Sequence, residues 1–404
     1  MNLRDKLRAV GGPAKSPASA TRAEAPRDCA RYVTRKRPEE TPGAGALRRE
    51  TLALMSDLAL PEPFDPRRVL YLDTETTGLG GSGTVAFLVG VGNLTDEGFE
   101  VRQYLMRDYP EEPLLLKELA GELGQFDVLC TFNGATFDLP LLETRFLMNR
   151  MDKSCLALPH LDLLHLCRRL WKLRLGRCNL GRLEQVILGT TRENDLPGSQ
   201  TPQRYFDYLK TKELSLLNDV LRHNAQDIVS LCVLLNRMAE MYQHPEEIPF
   251  AEDVYAMGRA LERLKQPENA RRCYRLARRG RMRAAASEAL ATSLRRGGEW
   301  DEAAGVWREM AREGRGGAAP YVALAKYEEH RRKDPAAALR WTEQALIRLA
   351  EPGLGETPAV QETKNELQYR QARLRRRLAA RRGEAAENPR LDGNGTEGCR
   401  REKE

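Results

Sequence analysis

The feature that most constrains this chain is a repeat of 33 to 34 residues that begins near residue 250. The repeated positions form three series: Gly258, Ala291 and Ala325; Ala270, Ala303 and Ala337; and Tyr274, Trp307 and Trp341. Small residues allow two helices to approach closely, and an aromatic side chain fills the space beside them. Because one repeat cannot bury its apolar face alone, the pattern predicts stacked helix pairs over residues 250–350 and a capping helix within residues 351–383.

Upstream of residue 245 the pattern is different, because short apolar runs alternate with helical segments. Strands are predicted at residues 68–73, 84–94, 99–106 and 127–132, of which the first three are antiparallel. Helices are predicted at residues 111–124, 137–150, 162–172, 180–188, 204–209 and 213–241. The predicted fold class is therefore a mixed-sheet α/β domain over residues 51–245, followed by an all-α helical repeat domain.

Both ends of the chain lack periodic apolar residues. Residues 1–50 are rich in Ala, Pro, Arg and Ser, so we predict a disordered basic segment with a short helix at residues 2–10. Residues 384–404 are polar and are also predicted to be disordered. The 404-residue chain is 41% hydrophobic, which allows the remaining residues to bury a core.

Composition also predicts the compartment. No apolar run approaches the ~20 residues of a membrane span. The N-terminus is charged from Arg4 onwards and has no apolar segment of signal-peptide type. Eight cysteines are scattered without the close spacing of a zinc site. We therefore expect a cytoplasmic protein with reduced thiols and no membrane contact.

Charge is distributed unevenly along the chain. The net charge of +7 divides into +6 for residues 1–50, −6 for residues 51–245 and +7 for residues 246–404. Basic flanks suit a polyanion such as nucleic acid, but Arg-rich helices can equally be solvated surfaces. The same two interpretations apply to a basic run interleaved with leucine and Trp171: Arg168, Arg169, Lys172, Arg174, Arg177 and Arg182.

The first chemical motif is a pair of carboxylates, Asp73 and Glu75, at the end of the first predicted strand. Residues two apart in a strand share one face. Two carboxylates ~4 Å apart repel by roughly 4 kcal/mol at an effective dielectric constant of ~20, unless a proton or a cation lies between them. Taken alone, the pair also suits a strand end with solvated acids.

Two further motifs lie on predicted helices. Asp138 follows an Asn133-Gly134 turn and begins a helix, where a helix-capping acid is the ordinary alternative. His223 and Asp227 lie one turn apart on the last long helix of the domain, where a surface His-Asp pair is the alternative. Asp227 interrupts a stripe that is otherwise apolar and predicted to be buried.

Together, these motifs resemble the DEDD exonuclease superfamily, which has a ribonuclease H-like fold. The middle motif is most similar to the proofreading domains of family B DNA polymerases. The resemblance implies 3′–5′ exonuclease activity on nucleic acid and two divalent metal ions, Mg or Mn. It assigns metal binding to four acids: Asp73, Glu75, Asp138 and Asp227. His223 is a further catalytic candidate, although superfamily members carry Tyr four residues, or His five residues, before the last acid.

With the repeats, which resemble the tetratricopeptide repeat, the whole chain resembles the YprB-type bacterial family. The segments 162–170 and 180–184 fit that group as well. Such repeats imply a protein partner, and the domain implies a nucleic-acid partner, DNA or RNA. We therefore expect hydrolysis of phosphodiester bonds, with Glu75 and His223 acting on the attacking water.

Several alternatives remain open at this level. The chain could be a catalytically silent adaptor that uses its repeats, or a structure-specific endonuclease on the same fold. The presence of all four mutually repelling acids speaks against the silent adaptor. His160 and His165 flank Asp162. This arrangement suits either a metal site near the acids or ordinary structural roles, with the histidines packing and Asp162 capping a helix. The glycine-rich segment 78–83 lacks the ending of a phosphate-binding loop, so we expect a hairpin connection.

Overall fold

The computed structural model describes residues 29–36, 47–78, 83–192, 196–351 and 357–387. The chain divides into two compact units. The first unit contains the described residues of Met1–Arg49, together with Leu58–His165 and Asn179–Ala239. The second unit contains Glu50–Asp57, Leu166–Cys178 and the described residues of Glu240–Glu404.

The first unit is built around a six-stranded mixed sheet with the strand order β1-β4-β3-β2-β5-β6. Its strands are β1 (Ala30–Lys36), β2 (Val69–Thr76), β3 (Ala86–Thr95), β4 (Gly98–Leu105), β5 (Val128–Thr131) and β6 (His160–Asp162). The first four strands pair antiparallel, whereas β5 runs parallel to both β2 and β6. The predicted mixed sheet, with three antiparallel strands leading into a helix–strand alternation, is confirmed.

Seven helices precede residue 245 in the described part of the chain. They are α1 (Arg49–Met55), α2 (Glu112–Leu123), α3 (Asp138–Met148), α4 (Leu163–Leu175), α5 (Leu180–Leu183), α6 (Thr201–Thr211) and α7 (Asn218–Gln243). A π-helical turn, Glu184–Leu188, continues α5. The predicted helix over residues 180–188 is therefore present but changes its winding at Glu184.

The centre of the sheet is apolar on both faces. The first four residues of β2, Val69–Leu72, are fully buried. Phe87 of β3 stacks on Tyr205 of α6 with ring centroids 4.1 Å apart, and both side chains are fully buried. Such packing holds the central strands rigidly. The polar end of β2 therefore has a well-defined position.

Two strands are absent from the sequence prediction. Ala30–Lys36 forms β1 within the segment that composition predicts to be disordered, so that part of the prediction is wrong. β1 is an edge strand whose order comes from its pairing with β4, including an ion pair from Arg35 to Glu100 at 2.8 Å. Strand β6 has only three residues, too few for a periodic signal.

Three other predictions concern segments that are not described. The predicted helix at residues 2–10 and most of the glycine-rich segment, residues 79–82, lie outside the described residues. Residues 388–404 of the predicted disordered tail also lie outside them. Residues 384–387 of that tail continue the last helix, which ends at Glu387.

The second unit is helical throughout its described part. Beyond Glu240 its helices are α8 (Ala251–Arg263), α9 (Pro267–Leu276), α10 (Arg283–Arg296), α11 (Trp300–Arg312), α12 (Ala319–His330), α13 (Pro335–Leu349) and α14 (Pro358–Glu387). Successive helices pack in pairs, α8 with α9, α10 with α11 and α12 with α13. A Cβ atom on Gly258 would lie 2.7 Å from the Tyr274 ring, so the predicted close approach of small residue and aromatic holds in the first pair.

Membership of the helix pairs in the tetratricopeptide family stays a prediction. The predicted capping helix is present as α14, with Leu367 and Leu374 buried. Among the helices that the structure describes, none combines the length and the apolar character needed to cross a lipid bilayer.

The unit boundaries differ from the continuous ranges that the sequence predicts. Arg174 of α4 forms a buried ion pair with Asp253 of α8 at 2.7 Å, which places residues 166–178 in the second unit. Gln243 donates a hydrogen bond to Thr51 at 2.7 Å within the same unit. Arg174 is therefore structural, whereas the other members of the predicted basic run are exposed: Arg168, Arg169, Lys172, Arg177 and Arg182.

Candidate active site

The end of the central strand β2 carries Asp73 and Glu75, on the same face of the strand. Asp73 lies opposite Gly90 of β3, and the missing side chain leaves room for Asn224 of α7. The Asn224 amide donates to Asp73 Oδ2 at 2.9 Å, while Gln103 donates to Asn224 Oδ1 at 2.9 Å. Asn224 is thus fixed on both sides and orients the Asp73 carboxylate.

Gly90→Ala is expected to disturb this arrangement. The new Cβ atom would lie 2.1 Å from Asn224 Oδ1, and Asn224 is fully buried, so its side chain has no free space to enter. We expect the free energy of unfolding to fall by about 1–3 kcal/mol, as for other overpacked sites. Urea unfolding measures the change. Gly83→Ala is the matched control, because no described atom beyond its chain neighbours lies within 4 Å of its Cβ position. Equal stability of the two variants would contradict the packing argument.

Asp138, the third predicted acid, is the first residue of α3 and is only 4% exposed. The Thr74 hydroxyl donates to Asp138 Oδ1 at 2.6 Å, which ties the helix to strand β2. Burial raises the pKa of Asp138 to about 6, and the Thr74 hydrogen bond opposes the rise. The carboxylate is therefore held against the sheet and does not act as a solvated helix cap.

The turn that leads into α3 is held by Asp162 at the end of β6. Its carboxylate accepts hydrogen bonds from the backbone N–H groups of Asn133 at 2.9 Å, Ala135 at 3.2 Å and Leu164 at 3.0 Å. Asn133 has a φ of 67°, in the left-handed region that Asn tolerates better than most residues. Asp162 thus shapes the turn that sets the direction of Asp138.

Neither histidine near Asp162 joins the acids. His160 Nε2 lies 2.8 Å from the hydroxyl of Thr131 on the neighbouring strand β5. His165 is exposed on α4. The contact of His160 and the exposure of His165 agree with ordinary structural roles for both histidines.

The fourth acid, Asp227, lies one turn after His223 on α7, with His223 Nε2 3.6 Å from Asp227 Oδ2. The side chains of His223 and Asp227 are 15% and 14% exposed, so the alternative of a surface pair is wrong. Arg192 donates to Asp227 Oδ1, and its Nη1 lies 3.1 Å from His223 Nδ1. A guanidinium can only donate, so His223 Nδ1 accepts and the neutral ring carries its proton on Nε2.

Arg192 also binds a second carboxylate, that of Glu184. Its Nε donates to Glu184 Oε2 at 2.7 Å and its Nη2 to Oε1 at 2.6 Å. The Glu184 side chain is 1% exposed, and the Ser230 hydroxyl donates to the same Oε1. Arg192, whose side chain is 12% exposed, therefore joins Glu184 to Asp227.

The four predicted acids come together around Asp73. Burial raises the pKa of Asp73 well above its usual range, and the charges of Asp227, Asp138 and Glu75 raise it further. Burial also raises the pKa of Asp227, against the opposing charge and hydrogen bond of Arg192. The structure thus places all four acids, with His223, at one end of the sheet.

The donor chemistry of this cluster suits a divalent cation. Carboxylate oxygens are hard ligands, which Mg²⁺ and Mn²⁺ prefer. Within the described ranges, no three His, Cys, Asp or Glu side chains surround a single point closely enough to form a metal site. Both oxygens of Asp227 face donor groups, those of Arg192 and His223.

The raised pKa of Asp138 predicts a pH-dependent stability. The Asp138 carboxyl has a pKa of about 6 in the folded state and of 3.8, its usual value, in the unfolded state. Because the folded state binds this proton more tightly, the free energy of unfolding falls as the pH rises from 3.8 to about 6. Without divalent ions, Asp138→Asn should therefore be more stable than the wild type by about 1–3 kcal/mol at pH 7.5, since each pKa unit corresponds to 1.36 kcal/mol. The gain should shrink at pH 5.

Urea unfolding in EDTA at the two pH values measures this difference. Asp219→Asn on α7, at an exposed carboxylate paired with Arg222, is the matched control and should show no such dependence. A stability gain of Asp138→Asn that is equal at both pH values would contradict the raised pKa.

Sequence reasoning missed three groups of this site. Asn224 had a usable signal, because it stands between Val220 and Ile228 at four-residue spacing in a buried stripe. A buried polar residue in such a stripe usually has a specific partner. Glu184 ends the segment 180–184, which fits the YprB-type group but suggests no role for this residue, and Arg192 lies in a loop.

Comparisons with known proteins identify a superfamily, a bacterial relative and a solved structure that are similar to this chain. The RNase H superfamily model matches residues 70–239, which span the sheet from β2 onwards and all four acids. The chain is 32% identical over 328 residues to the uncharacterized protein YprB of Bacillus subtilis (strain 168), covering 78% of this chain and 76% of the relative. A family B DNA polymerase from the hyperthermophilic archaeon Pyrobaculum calidifontis is similar over 54% of this chain and 30% of the polymerase, with 15% identity and a TM-score of 0.35.

The mixed sheet, the acids at its end and the superfamily match define the first unit as a ribonuclease H-like domain of a nuclease superfamily. The identity to YprB extends well beyond that domain, into the helical region. The chain belongs to the YprB family, as the motifs predict.

Proposed function

We propose that this protein is a metal-dependent nuclease that hydrolyses phosphodiester bonds, acting as a 3′–5′ exonuclease of DEDD type on single-stranded DNA or RNA. The observation that carries the proposal is the position of the half-buried Asp73 at the end of β2, within electrostatic reach of Asp138, Asp227 and Glu75. Like charges gathered in a cleft are costly unless cations neutralise them. Nuclease chemistry uses such cations.

Each site residue has a distinct role in this proposal. The two divalent ions, Mg²⁺ or Mn²⁺, would be held by four carboxylates: Asp73, Glu75, Asp138 and Asp227. Bound ions would supply charge neutralisation at the scissile phosphate and activation of water. Asn224 holds Asp73 in position, and Thr74 holds Asp138. Glu75 would orient the attacking water, and His223 would orient it or accept its proton.

The proposal extends to partners and compartment. Nucleic acid is the substrate, and the exposed basic residues of α4 suit a phosphate backbone. The helix pairs of the second unit, which we take to be tetratricopeptide-like, would bind a protein partner. A cytoplasmic location agrees with the seven cysteines of the described residues, all of which are free thiols.

The decisive experiment is a time course on single-stranded DNA and RNA of equal sequence, labelled at the 5′ end, with Mg²⁺ or Mn²⁺. A circular single strand separates the two modes of attack, because it has no 3′ end. Asp73→Ala is the blank, and Asp219→Asn, an exposed acid on α7, is the matched control for a lost carboxylate.

The outcomes separate the candidate functions. A ladder that shortens from the 3′ end, absent for Asp73→Ala and for the circle, is the expected result. Cleavage of the circle would favour an endonuclease on the same fold. If neither strand is cleaved and no Mn²⁺ is bound, the silent adaptor is the better interpretation.

A further inference from the structure

Arg192 directly contacts two of the proposed catalytic groups, His223 and Asp227. Its guanidinium donates to Asp227 Oδ1 and approaches His223 Nδ1 at 3.1 Å. Arg192 itself lies outside the sequence motifs that define the site. Asp227 and His223 are both mostly buried, so solvent screens these contacts weakly.

We propose that Arg192 is a lock on this active site: in the described state it occupies the metal-binding side of Asp227 and the proton-accepting nitrogen of His223. Activation would then require Arg192 to leave both groups. The inference rests on the proposed nuclease function and adds a regulatory step to it.

The contacts of Arg192 exclude the working state of each group. A guanidinium that donates to Asp227 Oδ1 keeps a positive charge where a divalent cation would bind, and the two charges repel. His223 cannot accept a proton at Nδ1 while Arg192 donates to that atom. Its other nitrogen carries a proton in the neutral ring and faces Asp227. The Arg192 side chain thus blocks both metal binding by Asp227 and proton acceptance by His223.

Glu184 provides a place for Arg192 to remain after release. Two hydrogen bonds, at 2.7 and 2.6 Å, join the Arg192 guanidinium to the buried Glu184 carboxylate. Ser230 also donates to Glu184, which keeps this carboxylate satisfied and fixed. Because Nη2 also donates to Asp227, release would move Nη2 and keep the Nε bond to Glu184. Neither Arg192 nor Glu184 would then be an unpaired buried charge, which would be strongly destabilising.

The lock reduces the apparent affinity for metal, because only the unlocked fraction binds. Arg192→Gln should therefore bind Mn²⁺ about tenfold more tightly than the wild type, or more. Isothermal titration calorimetry of the full chain with MnCl₂ measures this affinity and does not depend on hydrolysis. A role of Arg192 that is only structural would lower stability and leave the Mn²⁺ affinity unchanged or weaker.

Two further variants make the test robust. Glu184→Gln combined with Arg192→Gln removes the buried pair together, so the net charge of the site and its folding are preserved, and it should show the same gain. Arg222→Gln removes an exposed arginine of α7 that pairs with Asp219, and it should leave Mn²⁺ affinity unchanged.

The results distinguish the lock from the proposed function. If the wild type binds Mn²⁺ and neither Arg192 variant binds it more tightly, the lock is wrong and the nuclease proposal stands. If the double variant is folded by circular dichroism and neither it nor the wild type binds Mn²⁺, both proposals fail. Tighter binding by both Arg192 variants, and not by Arg222→Gln, supports the lock.

Discussion

Asp138→Asn is expected to lower hydrolysis of single-stranded nucleic acid by about a thousandfold or more, in line with the loss of a key electrostatic group in other enzymes. Asparagine has the same shape and can still accept the Thr74 hydroxyl, so α3 keeps its place on β2. The change removes only the negative charge that the proposed metal site needs. Binding of the same oligonucleotide, measured by fluorescence anisotropy, should change little.

The matched control is Asp219→Asn, which also removes one carboxylate from the same unit but at an exposed ion pair. It should retain wild-type hydrolysis. Full activity of purified Asp138→Asn would remove Asp138 from the metal-binding set. Loss of oligonucleotide binding together with hydrolysis would instead assign Asp138 to substrate binding.

Arg145→Leu is expected to lower the free energy of unfolding by about 3–5 kcal/mol, the usual effect of breaking a buried ion pair. Arg145 of α3 donates two hydrogen bonds to Glu112 of α2, at 2.5 and 2.6 Å, and each residue is 8% exposed. Asn149 adds a third bond to Glu112 at 2.9 Å. Without Arg145, the Glu112 carboxylate stays buried with one neutral donor. Urea unfolding measures the loss.

The same helix supplies a control. Lys153→Leu removes an exposed ion pair to Glu143 of α3 at 2.7 Å and should cost at most about 1 kcal/mol. Leucine at both Glu112 and Arg145 should restore part of the stability, because no unpaired charge remains. A cost below 1 kcal/mol for Arg145→Leu would show that α3 is not held by this pair.

This ion pair also matters for the site. Helix α3 begins at Asp138, so the α2–α3 contact at one end of the helix and the Thr74 contact at the other together set the position of that acid. Positioning a carboxylate in this way requires rigid supports, since catalytic geometry tolerates only small displacements.

Local patterns were sufficient for most elements of the ribonuclease H-like domain. The strands β2, β3, β4 and β5 have apolar runs with turn residues at their ends, and these signals depend only on neighbours in the chain. The edge strand β1 was missed for the opposite reason. Its residues Ala30–Lys36 gain order from β4, which lies about seventy residues further along the chain.

The unit boundaries also depended on distant contacts. Residues 166–178 continue a helix of the first unit, so nothing local marks a boundary there. The ion pair between Arg174 and Asp253 joins residues 79 positions apart, and sequence periodicity does not report such pairing. The run of basic residues around Arg174 therefore contains both a residue in a buried ion pair and residues that are exposed.

By itself, the sequence determined the fold class and the family and predicted the four acids of the proposed site, because strand period, repeat period and motifs are read from the chain alone. Tertiary structure alone decided how the acids are held. Gly90 makes room for Asn224 only because β3 pairs with β2, and Arg192 reaches Asp227 only because its loop folds back onto α7. Such contacts form between residues far apart in sequence, where burial strengthens hydrogen bonds and charges that no local pattern records.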